Sequence, residues 1–238
     1  MSDRYYIDEP IIADRAALAG AEAHHLIHVM RAERGKQVTL FDGSGNEFTA
    51  VVERVGRSEV ELAIIARERV DRELTFELTL AVALPKGDRQ KWLVEKAVEL
   101  GVTRLIPLRT CRAVADPGEQ ALTRLRRAVV EASKQCGRNR LMAIDAPQSW
   151  SDFVAATAER PCRLLAHPAT NCDQPDILSK AERTIGVLAA IGPEGGFADD
   201  EVALAVEAGW QTVDLGPRIL RIETAALAMA SMVIARRM

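Results

Sequence analysis

Aromatic side chains are sparse in this chain, 4% of 238 residues. Single-stranded nucleic acid held by base stacking needs rows of aromatic platforms, so such a surface is not expected. The four cysteines, Cys111, Cys136, Cys162 and Cys172, form neither a CxxC pair nor a zinc-ligand spacing. They read as reduced thiols, which implies a cytoplasmic protein. His24 and His28 share a helical face at the i,i+4 spacing of metal sites, and His25 lies between them. Glu22 is the sole further ligand candidate beside them, so a packed or surface helix is the better reading and no metal is expected. The opening Met-Ser-Asp-Arg-Tyr-Tyr has no apolar h-region, so no secretory leader is expected. The longest apolar run, Ala225 to Ala235, falls short of the roughly 20 residues that span a bilayer, and no membrane partner is expected. The chain also lacks the P-loop lysine, the GxGxxG fingerprint and a Ser/His/Asp nucleophile signature. No cysteine sits in an activating setting.

What is present is an ordinary globular balance, 48% apolar and 27% charged, enough to bury a core. The net charge of −3 gives no hint of nucleic acid, but its distribution does. Residues 1–72 carry 10 basic and 13 acidic side chains, residues 73–150 carry 13 and 9, and residues 151–238 carry 8 and 12. Within the basic middle third, Arg124, Arg126, Arg127, Lys134, Arg138 and Arg140 cluster. Charge of one sign in one region steers a polyanion even when the total is acidic. A solvated helix face balanced by Glu119 and Glu131 is the plain structural alternative.

The grammar of the chain changes near residue 73, which divides it into domains of 1–72 and 73–238. In the first, a short helix is predicted over Ala17–Arg31. Strand-like runs follow at Gln37–Phe41, Glu47–Val55 and Glu59–Ala66. Asp42-Gly43-Ser44-Gly45-Asn46 separates the first two as a hairpin turn. Antiparallel strands with tight turns suggest a small barrel, with Arg67–Glu73 as linker. After Leu74, strand and helix patterns alternate. Leu74–Leu84 leads to Arg89–Leu100, Arg104–Leu108 to Glu119–Gln135, and Arg163–Ala166 to Pro175–Glu182. Thr184–Ile191 then leads to Asp199–Ala208, and Thr212–Leu215 to Thr224–Arg236. That alternation predicts an α/β fold with a mostly parallel sheet. The all-apolar run Thr184–Ile191 reads as a central strand buried on both faces. The last helix is apolar on nearly every side, so it needs cover on several sides. A homodimer through this C-terminal domain supplies that cover, and a monomer core helix is the alternative.

Two segments share a strand–loop–helix layout, with loops where α/β sheets usually bind ligands. Ile191-Gly-Pro-Glu-Gly-Gly-Phe197 lets backbone approach a ligand closely. Glu194, Asp199 and Asp200 around it favour a neutral or cationic ligand over phosphate. Leu215-Gly-Pro-Arg-Ile-Leu-Arg-Ile-Glu-Thr-Ala225 places Arg218 and Arg221 three apart, so that one can face a ligand and the other the protein. Glu223 supplies a carboxylate and Thr224 an N-cap hydroxyl. Each segment also has a purely structural reading, a glycine turn in one case and an Arg–Glu pair with a cap in the other. The turn Pro85-Lys86-Gly87-Asp88, before the helix of Trp92 and Glu95, is a third candidate ligand edge.

Together these loops resemble the signature of the 16S ribosomal small-subunit RNA uridine-N3 methyltransferases, the RsmE family of the SPOUT superfamily. Leu84-Pro-Lys-Gly-Asp88 with Glu95-Lys-Ala-Val-Glu-Leu-Gly-Val102 resembles its middle motif. Glu131-Ala-Ser-Lys-Gln-Cys-Gly-Arg138 resembles its Glu…Gln-Ser/Cys…Arg helix end. His24-His-Leu-Ile-His-Val-Met-Arg31 and Leu40-Phe-Asp-Gly-Ser-Gly45 resemble its PUA-like RNA-binding domain. The likeness runs nearly end to end, with Met30 where Leu is common and Gly137 where a polar residue is usual. It implies S-adenosylmethionine as methyl donor, a C-terminal trefoil knot, a homodimer, and ribosomal RNA or the small ribosomal subunit as partner. Knots are nearly absent from proteins, so periodicity could not have shown this one. The resemblance builds the donor pocket from three loops. Leu165, Ala166 and His167 come from the first, and Ile191, Gly192, Pro193, Glu194, Gly195 and Gly196 from the second. Leu215, Gly216, Ile219, Leu220, Arg221, Thr224 and Ala225 come from the third.

The implied acceptor sharpens the chemistry. Uridine N3 carries a proton and is scarcely nucleophilic until that proton leaves. An arginine aimed at O2 or O4 stabilises the resulting anion, and a carboxylate can take the proton. Arg221 is the expected cation, with Arg138 from the basic segment as the alternative. Glu194 and Glu223 are the candidate bases. A helix N-terminus lowers the basicity of a carboxylate, which makes Glu223 a structural partner rather than a base. A SPOUT enzyme acting on another RNA or on ribose, and a regulator that binds RNA or nucleotide without chemistry, are the competing readings.

Overall fold

The computed structural model describes residues 3–168 and 186–237. The expected helix Pro175–Glu182, the beginning of the expected strand at Thr184, and Cys172 lie outside the described residues. The chain divides into two compact units. One holds residues 1–73 together with 133–141, and the other residues 74–132 and 142–238.

The first unit is built on a five-stranded sheet. Its elements are β1 (Arg4–Tyr6), β2 (Arg15–Ala19), α1 (Gly20–His24), β3 (Gln37–Phe41), β4 (Asn46–Val55) and β5 (Glu59–Arg69). The strand order is β1-β3-β4-β5-β2, parallel between β1 and β3 and antiparallel elsewhere. Alternation along β4 turns Phe48, Ala50 and Val52 inward, where they meet Val38, Leu40, Val60 and Leu62 in one core. The hairpin turn is as read from sequence. The Asp42 carboxylate accepts the Ser44 N–H at 3.0 Å, and Gly43 and Gly45 take φ of +83° and +97°. Such left-handed values suit glycine.

The helix expected over Ala17–Arg31 begins later. Arg15–Ala19 pairs with β5 as a strand, and the helical part starts at Gly20, passing into a π-helical turn over His25–Val29. The alanines favour helix locally, but an open sheet edge and an inward Leu18, 1% exposed, override that preference. The His24 and His28 rings do meet, 4.5 Å apart. Residues 133–141 add polar ties to this unit. Arg138 is buried and paired with Glu73 at 2.5 Å, and Lys134 is paired with Glu22 at 2.8 Å.

The second unit has an all-parallel sheet. It contains β6 (Leu78–Val82), α2 (Arg89–Glu99), β7 (Arg104–Arg109), most of α3 (Glu119–Cys136), β8 (Ala143–Ile144), β9 (Gln148–Ser149) and α4 (Trp150–Ala156). β10 (Cys162–Ala166), β11 (Val187–Ile191), α5 (Asp199–Glu207), β12 (Gln211–Val213) and α6 (Ile222–Arg237) complete it. Strands run β12-β10-β11-β6-β7-β8, and β9 pairs with β7. β11 is buried along its whole length between β10 and β6, as an all-apolar strand should be. Sequence reading missed β8, β9 and α4, whose patterns are too short to show a period. Ser149 nevertheless caps α4, its hydroxyl accepting the Asp152 N–H at 3.2 Å. Trp150, Phe153, Trp210 and Phe197 cluster with Ala81, Leu165 and Leu188 from the sheet.

α3 is strongly two-faced, with Leu122, Leu125, Ala128, Val129 and Ala132 inward and Arg124 and Arg127 exposed. α6 packs on β6, β11 and α2. It buries Ile222, Ala226, Met229, Ala230 and Val233 and leaves Leu227, Met232 and Ile234 half-buried. Among the described residues no helix is long and apolar enough to cross a membrane.

Candidate functional site

Three loops from adjacent parallel strands β11, β10 and β12 enclose a cavity of about 500 Å³. All three leave the C-terminal ends of their strands, the edge where α/β sheets hold ligands. The loop after β10 contributes Ala166, His167 and Pro168, and the His167 N–H donates to the Val213 carbonyl at 3.1 Å. The loop after β11 contributes Ile191 through Phe197. It turns back on itself where the Gly196 N–H donates to the Pro193 carbonyl at 2.8 Å. The loop after β12 contributes Asp214 through Leu220. Its turn is set by the Asp214 carboxylate, which accepts the Gly216 N–H at 2.8 Å. Gly216 takes φ of +103°, and Gly196 takes +69°. A side chain on either glycine would be strained by its backbone conformation, and neither Cβ position has a neighbour within 4 Å.

The glycine loop is braced by residues distant in the chain. Arg112, beyond β7, donates to the carbonyls of Gly195 at 2.8 Å and Phe197 at 3.4 Å. Glu201 accepts the Ala198 N–H at 2.9 Å and the Cys111 N–H at 2.7 Å. The Glu201 carbonyl in turn accepts the Trp150 indole N–H at 2.9 Å. Phe197 stacks on Trp150 with ring centroids 4.5 Å apart. Carboxylate-to-backbone bonds of this kind are among the stronger ones, so the loop is held in shape by its own surroundings.

Thirteen of the residues expected to hold the donor line this one cavity: Ala166, His167, Ile191, Gly192, Pro193, Glu194, Gly195, Gly196, Leu215, Gly216, Ile219, Leu220 and Ala225. Leu165 does not. It is fully buried in β10 and packs into the aromatic cluster, because strand alternation turns it to the other side from Ala166. Arg221 and Thr224 do not line it either, and both are exposed. The helix starts at Ile222, two residues before the expected Thr224. Arg221 precedes its first residue, and the Arg221 carbonyl accepts the Ala225 N–H at 2.9 Å. Of the two loop arginines, Arg218 therefore lines the cavity. Arg138 belongs to the first unit, where Glu73 holds it. The turn Pro85–Asp88 borders a different cleft of about 370 Å³, with Gly87, Asp88, Lys91 and Arg124 in its walls.

Sequence reading missed three contributors. Arg112 sits in a loop with no motif, and only the fold brings it to the glycines. Asp214 falls inside the strand predicted over Thr212–Leu215, whereas the strand ends at Val213; an aspartate two residues before a glycine is a turn signal. Arg89, the first residue of α2, lies 3.3 Å from Glu194 and 3.7 Å from Glu223.

The lining suits a ligand with an apolar body and a cationic centre. Ile191, Leu215, Ile219, Leu220 and Ala225 offer apolar surface, while Glu194, Asp199 and Asp214 bring carboxylates. Arg112 and Arg218 are its cations.

Two family models match the chain. One, described as an RNA methyltransferase domain, covers residues 72–234. The other, described as an RNA methyltransferase PUA domain, covers residues 18–65. The ribosomal RNA small subunit methyltransferase E of Synechocystis sp. is 34% identical over 91% of this chain and 72% of its own length. The protein of the same name from Bacillus subtilis is 29% identical over 89% and 86%. The ribosomal RNA small subunit methyltransferase E of Neisseria gonorrhoeae, solved bound to S-adenosyl methionine, aligns with a TM-score of 0.88 at 30% identity. That alignment covers 98% of this chain and 96% of the other.

Proposed function

The chain belongs to the RNA methyltransferase family whose model covers residues 72–234, and from that premise we propose that it methylates N3 of a uridine in 16S ribosomal RNA with S-adenosylmethionine as donor. The observation that carries this reading is the cavity of about 500 Å³ walled by three strand-end loops. Relatives named as ribosomal RNA small subunit methyltransferases match across both units, and one of them was solved with S-adenosyl methionine bound.

The residues present fit that donor. Gly196 and Gly216 leave open space where a side chain would stand, so backbone can approach an adenosine edge. The apolar lining suits the adenosine and thioether carbons. Carboxylates in the lining suit a sulfonium, and Arg218 suits the carboxylate of the methionyl end. When bound, the donor supplies an electrophilic methyl group. The protein's own task is then to hold the acceptor's N3 without its proton. Arg221 is exposed and has no ion pair among the described residues, which leaves its guanidinium available to a uracil anion arriving from solvent. Glu194 is engaged by Arg89, so it serves the loop better than it serves as proton acceptor.

Residues 1–72 are proposed as the PUA-like RNA-binding domain and residues 73–238 as the methyltransferase domain. The likeness of residues 18–65 to a PUA domain family supports the first. Arg124, Arg127 and Arg140 are exposed and without ion pairs among the described residues, in contrast to Arg126, Lys134 and Arg138. The first three are the proposed phosphate contacts. The knot implied by the resemblance belongs to the same proposal.

A homodimer is also proposed, through the half-buried face of α6 that carries Leu227, Met232 and Ile234. The small residues Ala228, Ser231 and Ala235 on that helix let a second copy approach closely. Trp92, 45% exposed on the neighbouring α2, is proposed as a further apolar contact. Replacing Trp92 and Ile234 with aspartate is expected to turn a dimer into a monomer in sedimentation velocity runs. A sedimentation coefficient equal to the wild type's would place the interface elsewhere.

The activity itself is tested by incubating the protein with S-adenosylmethionine and small subunits lacking the modification, then digesting the RNA to nucleosides. 3-Methyluridine is the expected product. A methyl group on ribose or on another base would redirect the assignment within the superfamily. No transfer, with RNA still bound, would favour a regulator.

A further inference from the structure

Arg89 lies between the glycine loop and the start of α6. It is the first residue of α2, and its two terminal nitrogens face different carboxylates. Nη2 lies 3.3 Å from Glu194 Oε1, and Nη1 lies 3.7 Å from Glu223 Oε2. Glu194 is on the glycine loop and lines the cavity. Glu223 is the second residue of α6, directly after the arginine loop, and is only 5% exposed. Its Oε2 accepts no hydrogen bond, so Arg89 is the charge that faces it. A buried carboxylate is costly unless a cation stands beside it.

The position of Arg89 makes no sense for α2 alone. A cation in the first turn opposes the helix macrodipole; Asp88 stands at the N-cap, and the turn itself holds no acidic residue. The start of α2 is nevertheless well anchored. The Gln90 side chain donates to the Pro85 carbonyl at 2.7 Å, Leu93 and Val94 are fully buried, and the helix packs on α6. The arginine thus projects from a fixed base toward two loops that no direct strand pairing ties together.

We propose that Arg89 is the positioning residue of the donor site, a guanidinium fork that sets the separation between the glycine loop and the start of α6. It acts through Glu194 and Glu223 and needs no contact with the donor. Lysine cannot replace it, because an ammonium is a point charge that cannot present two nitrogens to two carboxylates. This rests on the reading that the cavity binds S-adenosylmethionine, but the tether itself belongs to the ligand-free protein.

The test uses the full chain with Arg89→Ala, Arg89→Lys, Glu223→Gln and the double variant Arg89→Ala with Glu223→Gln. Two readouts are taken: hydrogen exchange of the amides of residues 194–196 without donor, and calorimetric affinity for S-adenosylmethionine. Arg89→Ala should speed loop exchange and weaken donor affinity by about tenfold, the size of a typical coupling between linked sites. Arg89→Lys should recover only part of that loss, raising the donor KM while kcat at saturating donor stays near wild type. The double variant should be no worse than the poorer single variant. Additive losses, full recovery with lysine, or wild-type exchange in Arg89→Ala would each overturn the proposal. If Arg89→Ala fails to fold, the lysine and glutamine variants decide by the same readouts. Faster exchange in Arg89→Ala, with no donor binding even by the wild type, would keep the tether and dismiss the donor assignment. Unchanged exchange with wild-type donor affinity would do the reverse.

Discussion

Gly192→Ala is expected to lower donor affinity by about 100-fold, the effect of roughly a 1 Å misplacement of a positioning element. The reason is steric and local. A Cβ at this position would stand 2.9 Å from Cδ2 of the Phe197 ring, 3.0 Å from Cε2 and 3.1 Å from the Phe197 backbone nitrogen. The ring cannot swing aside, because it is stacked on Trp150 within the aromatic cluster. Nor can the backbone retreat easily, because Arg112 holds the Phe197 carbonyl and Glu201 holds the next amide. The loop must therefore move into the cavity that it lines. Overpacking of this kind costs about 1–3 kcal/mol of stability, so a lower melting temperature should accompany the loss of affinity. Gly195→Ala is the control. Its nearest neighbour would be the flexible Arg112 side chain at 3.4 Å, an ordinary contact, and it should bind donor nearly as wild type. Equal affinities for the two variants, measured calorimetrically, would show that the loop does not shape the site.

Arg221→Ala should reduce kcat by about 10²–10³, the usual result of removing one preorganised donor to a developing anion, with the donor KM little changed. Arg218→Ala should do the opposite, raising the donor KM with kcat kept. The distinction follows from position. Arg218 lines the cavity, while Arg221 is exposed outside its lining and caps nothing with its side chain. Because the acceptor must lose a proton, higher pH should restore part of the Arg221→Ala rate. Steady-state kinetics with the two substrates varied separately check all three statements. A kcat loss in Arg218→Ala with Arg221→Ala unaffected would exchange their roles.

Much of the second unit was legible because its signals are local and long. β11 is an unbroken apolar run, and α3 repeats its apolar residues at helical spacing over 18 residues. Both loops announce themselves through glycine and proline after a strand. The misses were short or dependent on distant partners. Arg15–Ala19 reads as helix from its alanines, yet becomes a strand because β5 offers it an edge. β8 and β9 have two residues each, too few for any period. Residues 133–141 begin in the last turn of α3, most of which belongs to the second unit, but cluster with the first, a grouping no local pattern encodes.

Sequence by itself determined the longer strands and helices of the second unit, which loops are glycine-rich, and the resemblance that ties them to methyl transfer. These follow from periodicity and from residues whose backbone preferences act within a few positions. Only the tertiary structure decided how the side chains share the work. Leu165 and Ala166 are neighbours in sequence, yet one enters the core and the other the cavity. Arg218 lines the cavity and Arg221 does not, because α6 begins two residues earlier than its cap signal suggests. Arg89, Arg112 and Glu201 brace loops about 80 to 130 positions away in the chain. Electrostatic and hydrogen-bonding partners are chosen by distance in space, and in a parallel sheet that distance is set by strand order rather than by sequence order.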